Sequence, residues 1–219
     1  MSRPSRIAVL ASGRGSNLQA ILDAIAAGQL CAEVVGVFSD RPDAAALQRV
    51  PPAQRWAHAP KTFSDRDAYE AALGDALAAT ASDWIVCAGY MRILGAAFVQ
   101  RFSGQLVNIH PSLLPLHKGL HTHARALEAG DAEHGASVHL VVPELDAGAV
   151  LAQARVPVLA GDDPQTLADR VLAVEHPLLI ATLQLLCAGR LAEREGQPTL
   201  DGHPLFNPLA LDSAGNLNR

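Results

Sequence analysis

Asn108 and His110 are the residues of this sequence whose types and spacing most directly suggest chemistry. They lie two positions apart in LVNIHPSLLPLHKGLHTH, residues 106–123, at the end of a short apolar run. Side chains two apart in a strand point to the same side, and a central parallel strand is normally apolar on both faces. An amide and an imidazole together can stabilise the oxyanion that forms when a nucleophile adds to a carbonyl group. Because open α/β sheets bind ligands at the carboxyl ends of their strands, we expect a catalytic site here.

Asp146 is the acidic residue that could complete this site. It lies in the turn-rich segment PELDAG, residues 143–148, between two predicted strands that could extend the same sheet. A carboxylate beside His110 would favour the charged imidazolium, which donates a hydrogen bond to a carbonyl oxygen, and Asn108 could donate a second one. An aspartate in a turn is also an ordinary turn former, so the sequence leaves both roles open.

The segment SGRGSN, residues 12–17, predicts an anion site where the first strand meets the first helix. Backbone N–H groups and the positive end of the helix dipole converge above such a loop. A dinucleotide fingerprint would place a third glycine at position 18, where this chain has Leu18, and a P-loop would need Gly-Lys-Ser/Thr. A phosphate monoester is therefore the predicted ligand, and a tight turn without a ligand is the alternative.

A metal site is the other chemistry that the histidine-rich region suggests. Six histidines fall within thirty residues: His110, His117, His121, His123, His134 and His139. The pair His121 and His123 lacks the HExxH spacing that places two ligands on one helical face, and the region contains no cysteine. We predict no metal, and structural roles for the histidines other than His110.

The surrounding elements alternate between strands and helices. Short apolar runs predict strands at residues 6–11, 34–38, 84–88, 106–109, 136–142 and 150–158. Helical periodicity and capping residues predict helices from residue 17 to a stop at Gly28, over 65–79, from about 122, and from 162 to 186 with a kink at Pro177. The pattern predicts a Rossmann-like, doubly wound α/β fold, with a mostly parallel sheet, helices on both faces and a C-terminal mixed-sheet extension.

The length and overall composition of the chain indicate its domain organisation and exclude some classes of partner. We expect a single domain over residues 1–219, with a nucleotide-binding half to about 105, a catalytic half over about 106–190 and an irregular tail over about 195–219. With 17 basic and 22 acidic residues, the net charge of −5 does not attract nucleic acid or an anionic membrane. Cys31, Cys87 and Cys187 are expected to be reduced core residues. Without a signal-peptide core or a long uncharged apolar run, the sequence predicts a soluble cytoplasmic protein.

Five motifs carry a family resemblance: SGRGSN at 12–17, GYMRIL at 89–94, NIHPSLLP at 108–115, GLHTH at 119–123 and ELDAG at 144–148. In this combination and order, over nearly the whole chain, the sequence resembles the phosphoribosylglycinamide formyltransferases. The resemblance implies the formyltransferase fold and no metal. It also implies transfer of the formyl group of 10-formyltetrahydrofolate to the amine of N1-(5-phospho-D-ribosyl)glycinamide, the third step of purine (IMP) biosynthesis. The implied partners are these two small molecules, and the chain would be a monomer or a homodimer.

The resemblance also assigns roles to individual residues. The implied catalytic residues are Asn108, His110 and Asp146. The implied ribonucleotide-binding residues are Gly15, Ser16, Asn17, Leu172, Ala173, Val174 and Glu175. The implied folate-binding residues are Arg66, Met91, Arg92, Ile93, Leu94, Asn108, Val142, Pro143, Glu144, Leu145 and Asp146. Two departures from the family pattern are Pro177, close to Glu175, and the segment at residues 49–61 with its Pro-Pro pair.

Three rival functions remain to be compared. A methionyl-tRNA formyltransferase shares an Asn-x-His and Asp site, but it needs a further C-terminal domain, and the acidity of this chain disfavours tRNA. A formyltetrahydrofolate hydrolase resembles the same core but carries an N-terminal regulatory domain, whereas the first predicted strand here begins by Arg6. A non-catalytic nucleotide-binding module would bind a phosphate at residues 12–17 and use His110 structurally. Substitution of Asn108 or His110 by alanine separates the last reading from an enzyme.

Overall fold

The protein is described by a computed structural model, in which residues 3–194 and 197–219 are placed. The chain divides into two compact units, Met1–Asn108 and Ile109–Arg219. Within the described residues of the first unit the strands pair in parallel, and the second unit carries antiparallel pairs. The predicted α/β class, a mostly parallel sheet with a mixed C-terminal extension, is confirmed.

The sheet of the first unit is built around its first strand. Its strands lie in the order β3-β2-β1-β4-β5, and they are β1 (Ser5–Leu10), β2 (Ala32–Ser39), β3 (Arg55–Ala57), β4 (Trp84–Cys87) and β5 (Leu106–His110). In β1 every side chain from Ile7 to Leu10 is fully buried, as a continuous apolar run in a central parallel strand predicts. The last two residues of β5, Ile109 and His110, begin the second unit.

Three helices accompany these strands: α1 (Ser16–Ala26), α2 (Arg66–Ala79) and α3 (Ala96–Arg101). In α1 the side chains of Leu18 and Ile21 are fully buried, which is the consequence of their i, i+3 spacing. Asp65 caps α2 by accepting a hydrogen bond from the N–H of Ala68 at 2.8 Å. A cap of this kind typically stabilises a helix by about 1 kcal/mol. The predicted elements of this unit are present, while α3 and β3 were not predicted.

The second unit contains a hairpin, two helices and short C-terminal strands. Strands β6 (Glu133–Leu140) and β7 (Val150–Pro157) pair antiparallel and are joined by a loop at residues 141–149. The helices are α4 (Thr122–Ala129) and α5 (Pro164–Cys187). Asp163 begins α5 with a capping box formed with Thr166, and the helix continues unbroken through Pro177.

Helix α5 is long and apolar enough to cross a membrane by length and composition. Its apolar side chains have another partner, because the helix packs against β6 and β7. Leu167, Val171 and Leu178 are fully buried. Packing in the core of the second unit therefore accounts for the composition of α5.

The C-terminal tail differs from the predicted irregular segment. Glu195 and Gly196 lie outside the described residues, but residues 197–219 contain short strands. Strands β8 (Leu191–Arg194), β9 (Gln197–Leu200) and β10 (His203–Pro204) form a small antiparallel sheet. Strand β11 (Leu209–Leu211) pairs in parallel with β7 and antiparallel with β12 (Leu217–Asn218). The tail thus extends the β-structure of the second unit.

The cysteine prediction is correct only in part. Cys31, Cys87 and Cys187 form no disulfide, and Cys87 is a core residue in β4, where burial raises the pKa of its thiol to about 12. Cys187 is half-buried at the end of α5. Cys31 is exposed, so its assignment to the core was wrong; it lies just before β2, outside the buried strand that begins at Ala32.

Candidate active site

The glycine-rich loop at residues 13–15 connects β1 to α1 in a conformation that requires Gly15. Its φ angle is +73°, and a Cβ atom there would lie 2.7 Å from the Cβ atom of Ala46. A side chain at Gly13, by contrast, would meet nothing within 4 Å. Helix α1 begins directly after Gly15, and the N–H groups in the first turn of a helix have no acceptor within the helix itself. N–H groups placed in this way are able to bind an anion.

A neighbouring segment supports this loop from outside. The N–H of Ala46 donates to the carbonyl oxygen of Gly13 at 3.0 Å, and Nε of Arg49 donates to the carbonyl oxygen of Arg14 at 3.0 Å. Arg49 also donates to Oε1 of Gln19 in α1 at 2.6 Å. Sequence reasoning missed these contacts because they join segments about thirty positions apart, with no motif that marks them.

The segment at residues 89–95 follows β4 and carries exposed apolar side chains. Met91 is 68% exposed and Ile93 is 60% exposed, whereas Leu94 is buried. Core packing therefore explains Leu94 but not the other two. Large exposed apolar side chains on a fixed loop are what a flat hydrophobic ligand would contact.

Arg66 fixes the far end of this segment. Its Nη2 donates to the carbonyl oxygen of Ile93 at 2.7 Å, and its Nε donates to Oε1 of Glu70 at 2.7 Å. The Glu70 carboxylate in turn accepts the N–H of Gly95 at 3.0 Å. Arg66 and Ile93, both implicated from sequence, are thus brought into direct contact.

In the second unit, His110 meets the carboxylate of Asp146. Nδ1 of His110 lies 3.5 Å from Oδ2 of Asp146, and both side chains are more than nine-tenths buried. The same carboxylate oxygen accepts the N–H of Gly119 at 2.8 Å, and Nε2 of His110 lies 3.2 Å from the carbonyl oxygen of His117. The imidazole and the acid, which are distant in sequence, therefore converge as predicted.

A second imidazole lies on the other side of this carboxylate. Nε2 of His139 is 3.7 Å from Oδ1 of Asp146, and the rings of His110 and His139 are 6.5 Å apart at 85°. Nδ1 of His139 lies 2.8 Å from the carbonyl oxygen of Leu140. Burial lowers the pKa of His139, opposed by this hydrogen bond and by the charge of Asp146. Sequence reasoning treated His139 as structural and missed its contact with the acid.

Asn108 lies on β5, two residues before His110. The two positions share a face of the strand because side chains alternate. Asn108 is half-buried within a strand whose other members are buried. Strand β5 thus carries the amide of Asn108 and the imidazole of His110, and that imidazole contacts the carboxylate of Asp146.

Comparison with known proteins places the chain in a family. The formyl transferase family matches residues 5–183. The chain belongs to the formyl transferase family. The family predicted from the sequence motifs is confirmed.

Its relatives within the family are similar over almost their whole length. A phosphoribosylglycinamide formyltransferase of Escherichia coli is 46% identical over 91% of this chain and 95% of its own. One from Haemophilus influenzae is 43% identical over 91% and 95% of the two chains. The solved structure of the Coxiella burnetii enzyme of the same name has a TM-score of 0.87 at 46% identity, covering 92% of this chain and 96% of its own.

In this formyltransferase, the loop at residues 141–149 is shaped by two backbone requirements. Asp146 has a φ angle of +46°, in the left-handed region. A Cβ atom at Gly148 would lie 1.8 Å from the carbonyl oxygen of Leu140, so only glycine fits. The loop contains the predicted folate contacts Val142, Pro143, Glu144 and Leu145, of which Leu145 is 49% exposed. Its backbone turns the acid of Asp146 inward and leaves the apolar Leu145 outward.

Three other histidines of the formyltransferase, His117, His123 and His134, form a separate cluster. His117 is paired with Asp131 at 2.5 Å, and His123 with His134 at 3.2 Å. Burial lowers the pKa of His134 to about 4 and also lowers the pKa of His123. Among residues 3–194 and 197–219, no three His, Cys, Asp or Glu side chains are grouped so that they could hold a metal ion.

The predicted ribonucleotide contacts of the second unit lie on α5. Leu172, Val174 and Glu175 are half-buried, and Ala173 is exposed. Because α5 runs from Pro164 to Cys187 without interruption, Glu175 lies within the helix despite the proline two positions later. The sequence departure at this point therefore leaves the helical setting of Glu175 intact.

Proposed function

We propose that this chain transfers the formyl group of 10-formyltetrahydrofolate to the amine of N1-(5-phospho-D-ribosyl)glycinamide. The observation that carries the proposal is the contact between His110 and Asp146, in a formyl transferase whose relatives bear this activity in their names. The products are the N-formyl ribonucleotide and tetrahydrofolate. The reaction is the third step of de novo purine biosynthesis.

The proposed mechanism uses Asn108 and His110 of β5 and Asp146 of the loop at 141–149. The amine nitrogen attacks the formyl carbon, so a C–N bond forms and the carbonyl oxygen becomes an oxyanion. His110 and Asn108 donate hydrogen bonds to this oxyanion, which takes the place of the His117 carbonyl oxygen as the acceptor for Nε2 of His110. One such donor typically contributes about 10²–10³ in turnover. Asp146 stabilises the imidazolium of His110, and it passes a proton from the attacking amine, through water, to the departing folate nitrogen. The bond between the formyl carbon and that nitrogen then breaks.

Each of the two units contains some of the proposed substrate-binding residues. In the first unit, Gly15, Ser16 and Asn17 bind the phosphate, while Met91, Arg92, Ile93 and Leu94 contact the pterin. Arg66 holds the main chain of that segment and lies near the glutamate tail of the folate. In the second unit, Glu175, with Leu172, Ala173 and Val174 beside it, holds the substrate amine. Val142, Pro143, Glu144, Leu145 and Asp146 close over the folate.

The proposal also includes the domain organisation, the oligomeric state, the cellular location and the partners. Residues 1–219 would act as one formyltransferase domain in the cytoplasm, without a metal, as a monomer or a homodimer. Its partners would be the ribonucleotide and the reduced folate rather than a nucleic acid or a membrane, in keeping with the net charge of −5.

A substrate-omission assay tests the reaction. Purified protein is mixed with 10-formyltetrahydrofolate, with and without glycinamide ribonucleotide, and tetrahydrofolate is measured. Folate release that depends on the ribonucleotide supports the transferase. Equal release in both mixtures identifies a hydrolase, and no release in either one rejects the proposal. Chelator-treated protein should retain full activity.

A further inference from the structure

Ser12 is a buried hydroxyl that contacts two segments of the first unit at once. It is 3% exposed and directly precedes the glycine-rich loop. Its N–H donates to the carbonyl oxygen of Gly89 at 3.0 Å. Its Oγ accepts the N–H of Met91 at 2.9 Å and donates to Oδ1 of Asp40 at 2.6 Å. One residue therefore joins the start of the proposed phosphate loop to the start of the proposed pterin segment.

The direction of these hydrogen bonds is fixed by Asp40. A serine hydroxyl has one hydrogen to donate, and a carboxylate at 2.6 Å takes it. The lone pairs of Oγ are then turned toward the N–H of Met91, which has only a donor to offer. Asp40 follows β2 directly, so it is held by the sheet. The hydroxyl is thus oriented by a carboxylate rather than left to rotate.

The two ends of the pterin segment are held differently. At residues 93–95 the main chain is held by Arg66 and Glu70, which lie on α2. At residues 89–91 it is held by Ser12, which leads into the glycine-rich loop. Ser12 is therefore a direct link between that loop and Met91, and Arg66 is not.

We propose that Ser12, oriented by Asp40, is a positioning residue that holds the phosphate loop and the pterin segment in one fixed geometry. This inference rests on the proposed function, and it adds a residue pair that the catalytic and binding assignments do not contain. Ser12 acts through the main chain of its neighbours and touches neither reacting group.

The primary test measures KM for both substrates in Ser12→Ala. Loss of one hydrogen bond that organises both segments should raise the KM for the ribonucleotide and the KM for the folate by about 10-fold each, with a smaller change in kcat. Asp40→Asn should raise both constants less, since its amide oxygen still accepts a hydrogen bond. The double variant should be no worse than Ser12→Ala alone, because once the hydroxyl is absent the residue at position 40 has nothing left to orient. Ser103→Ala, at an exposed serine in the same unit, is the control.

Amide exchange provides a readout that does not need catalysis. In the wild-type protein, inorganic phosphate should slow hydrogen exchange at residues 91–94, and in Ser12→Ala this effect should disappear. If Ser12→Ala does not fold, Asp40→Asn is used in both experiments. A fall in melting temperature with both KM values unchanged, or a rise in only one of them, would overturn the inference. Absence of ribonucleotide-dependent transfer in the wild type rejects the proposed function instead, and the exchange experiment still decides the role of Ser12.

Discussion

The carboxylate of Asp146 faces a second imidazole, with its Oδ1 3.7 Å from Nε2 of His139. Nδ1 of His139 must carry a hydrogen, because its neighbour, the Leu140 carbonyl, can only accept one. Nε2 of the neutral ring is then a proton acceptor that faces the acid. Burial lowers the pKa of His139, which favours this neutral form of the ring beside the acid.

His139→Asn should therefore impair the chemical step more than substrate binding. We expect kcat to fall by about 10-fold, a modest loss for a group that positions the catalytic acid, with both KM values nearly unchanged. The pH profile of kcat should also lose its dependence on this group. Steady-state kinetics across pH checks this, with His203→Asn on the exposed strand β10 as the control. If kcat and its pH profile were unaltered, His139 would contribute only to packing.

Gly15→Ala and Gly13→Ala form a matched pair within the glycine-rich loop. The first places a Cβ atom against Ala46 at a φ angle of +73°, and the second meets nothing within 4 Å. Gly15→Ala should weaken binding of inorganic phosphate at least 10-fold and destabilise the protein by about 1–3 kcal/mol, from backbone strain and overpacking. Gly13→Ala should change both quantities little. Calorimetric titration and thermal unfolding measure them, and equal effects of the two substitutions would contradict the account.

Arg66→Met should affect the folate alone. The guanidinium holds the carbonyl oxygen of Ile93, so its loss should raise the KM for 10-formyltetrahydrofolate by about 10-fold through one lost charge-assisted hydrogen bond. The KM for the ribonucleotide should not change, in contrast with Ser12→Ala. Arg41→Met, at an exposed arginine of the same unit, is the control. An equal rise in both constants would show that Arg66 does not act on the pterin segment selectively.

Stability should fall on acidification because of the histidine cluster. The pKa of His134 is lowered from 6.5 to about 4, mainly by burial, with smaller effects from the charges of His123 and His117. Between these two values the unfolded chain binds more protons than the folded one. The free energy of unfolding should therefore be at its full value above about pH 7 and fall below pH 6.5, by at most about 1.4 kcal/mol per pH unit for one such histidine. Below about pH 4 the ring is protonated in both states, and His134 causes no further fall in the free energy of unfolding.

Urea unfolding at pH 7 and pH 5 tests this prediction. The wild-type protein should lose more stability between the two values than His134→Gln, because the variant lacks the titrating ring. The same loss in both proteins would assign the pH dependence to other groups.

Much of the fold was predictable because its signals are local. The apolar run of β1 and the caps Asp65 and Asp163 mark their elements within a few residues. Helix α3 was missed because it has six residues and no side-chain cap, and β3 because three half-buried residues form no pattern. The tail strands contain Pro198 and Pro204 and are two to four residues long, so their sequence is typical of irregular structure.

The sequence predicted those site residues that are polar and lie at the end of a buried strand. Asn108 and His110 stand out as polar residues at the end of a buried strand. His139, next to the end of β6, carries the same signal and could have been chosen on that ground. The contact of Asp146 with His110 was expected, but its contacts with His139 and Gly119 and those of Ser12 could not be predicted, because they depend on how distant parts of the sequence pack.

The most direct test of the account is single-turnover formyl transfer by His110→Ala, Asp146→Asn and the control His203→Ala. With saturating ribonucleotide and 10-formyltetrahydrofolate, the rate should fall by about 10²–10³ in His110→Ala, as for the loss of one oxyanion donor. A comparable fall is expected in Asp146→Asn, while phosphate binding stays unchanged in both variants and His203→Ala transfers at the wild-type rate. Transfer at the wild-type rate by His110→Ala would contradict the central claim that this imidazole and the acid beside it catalyse the reaction.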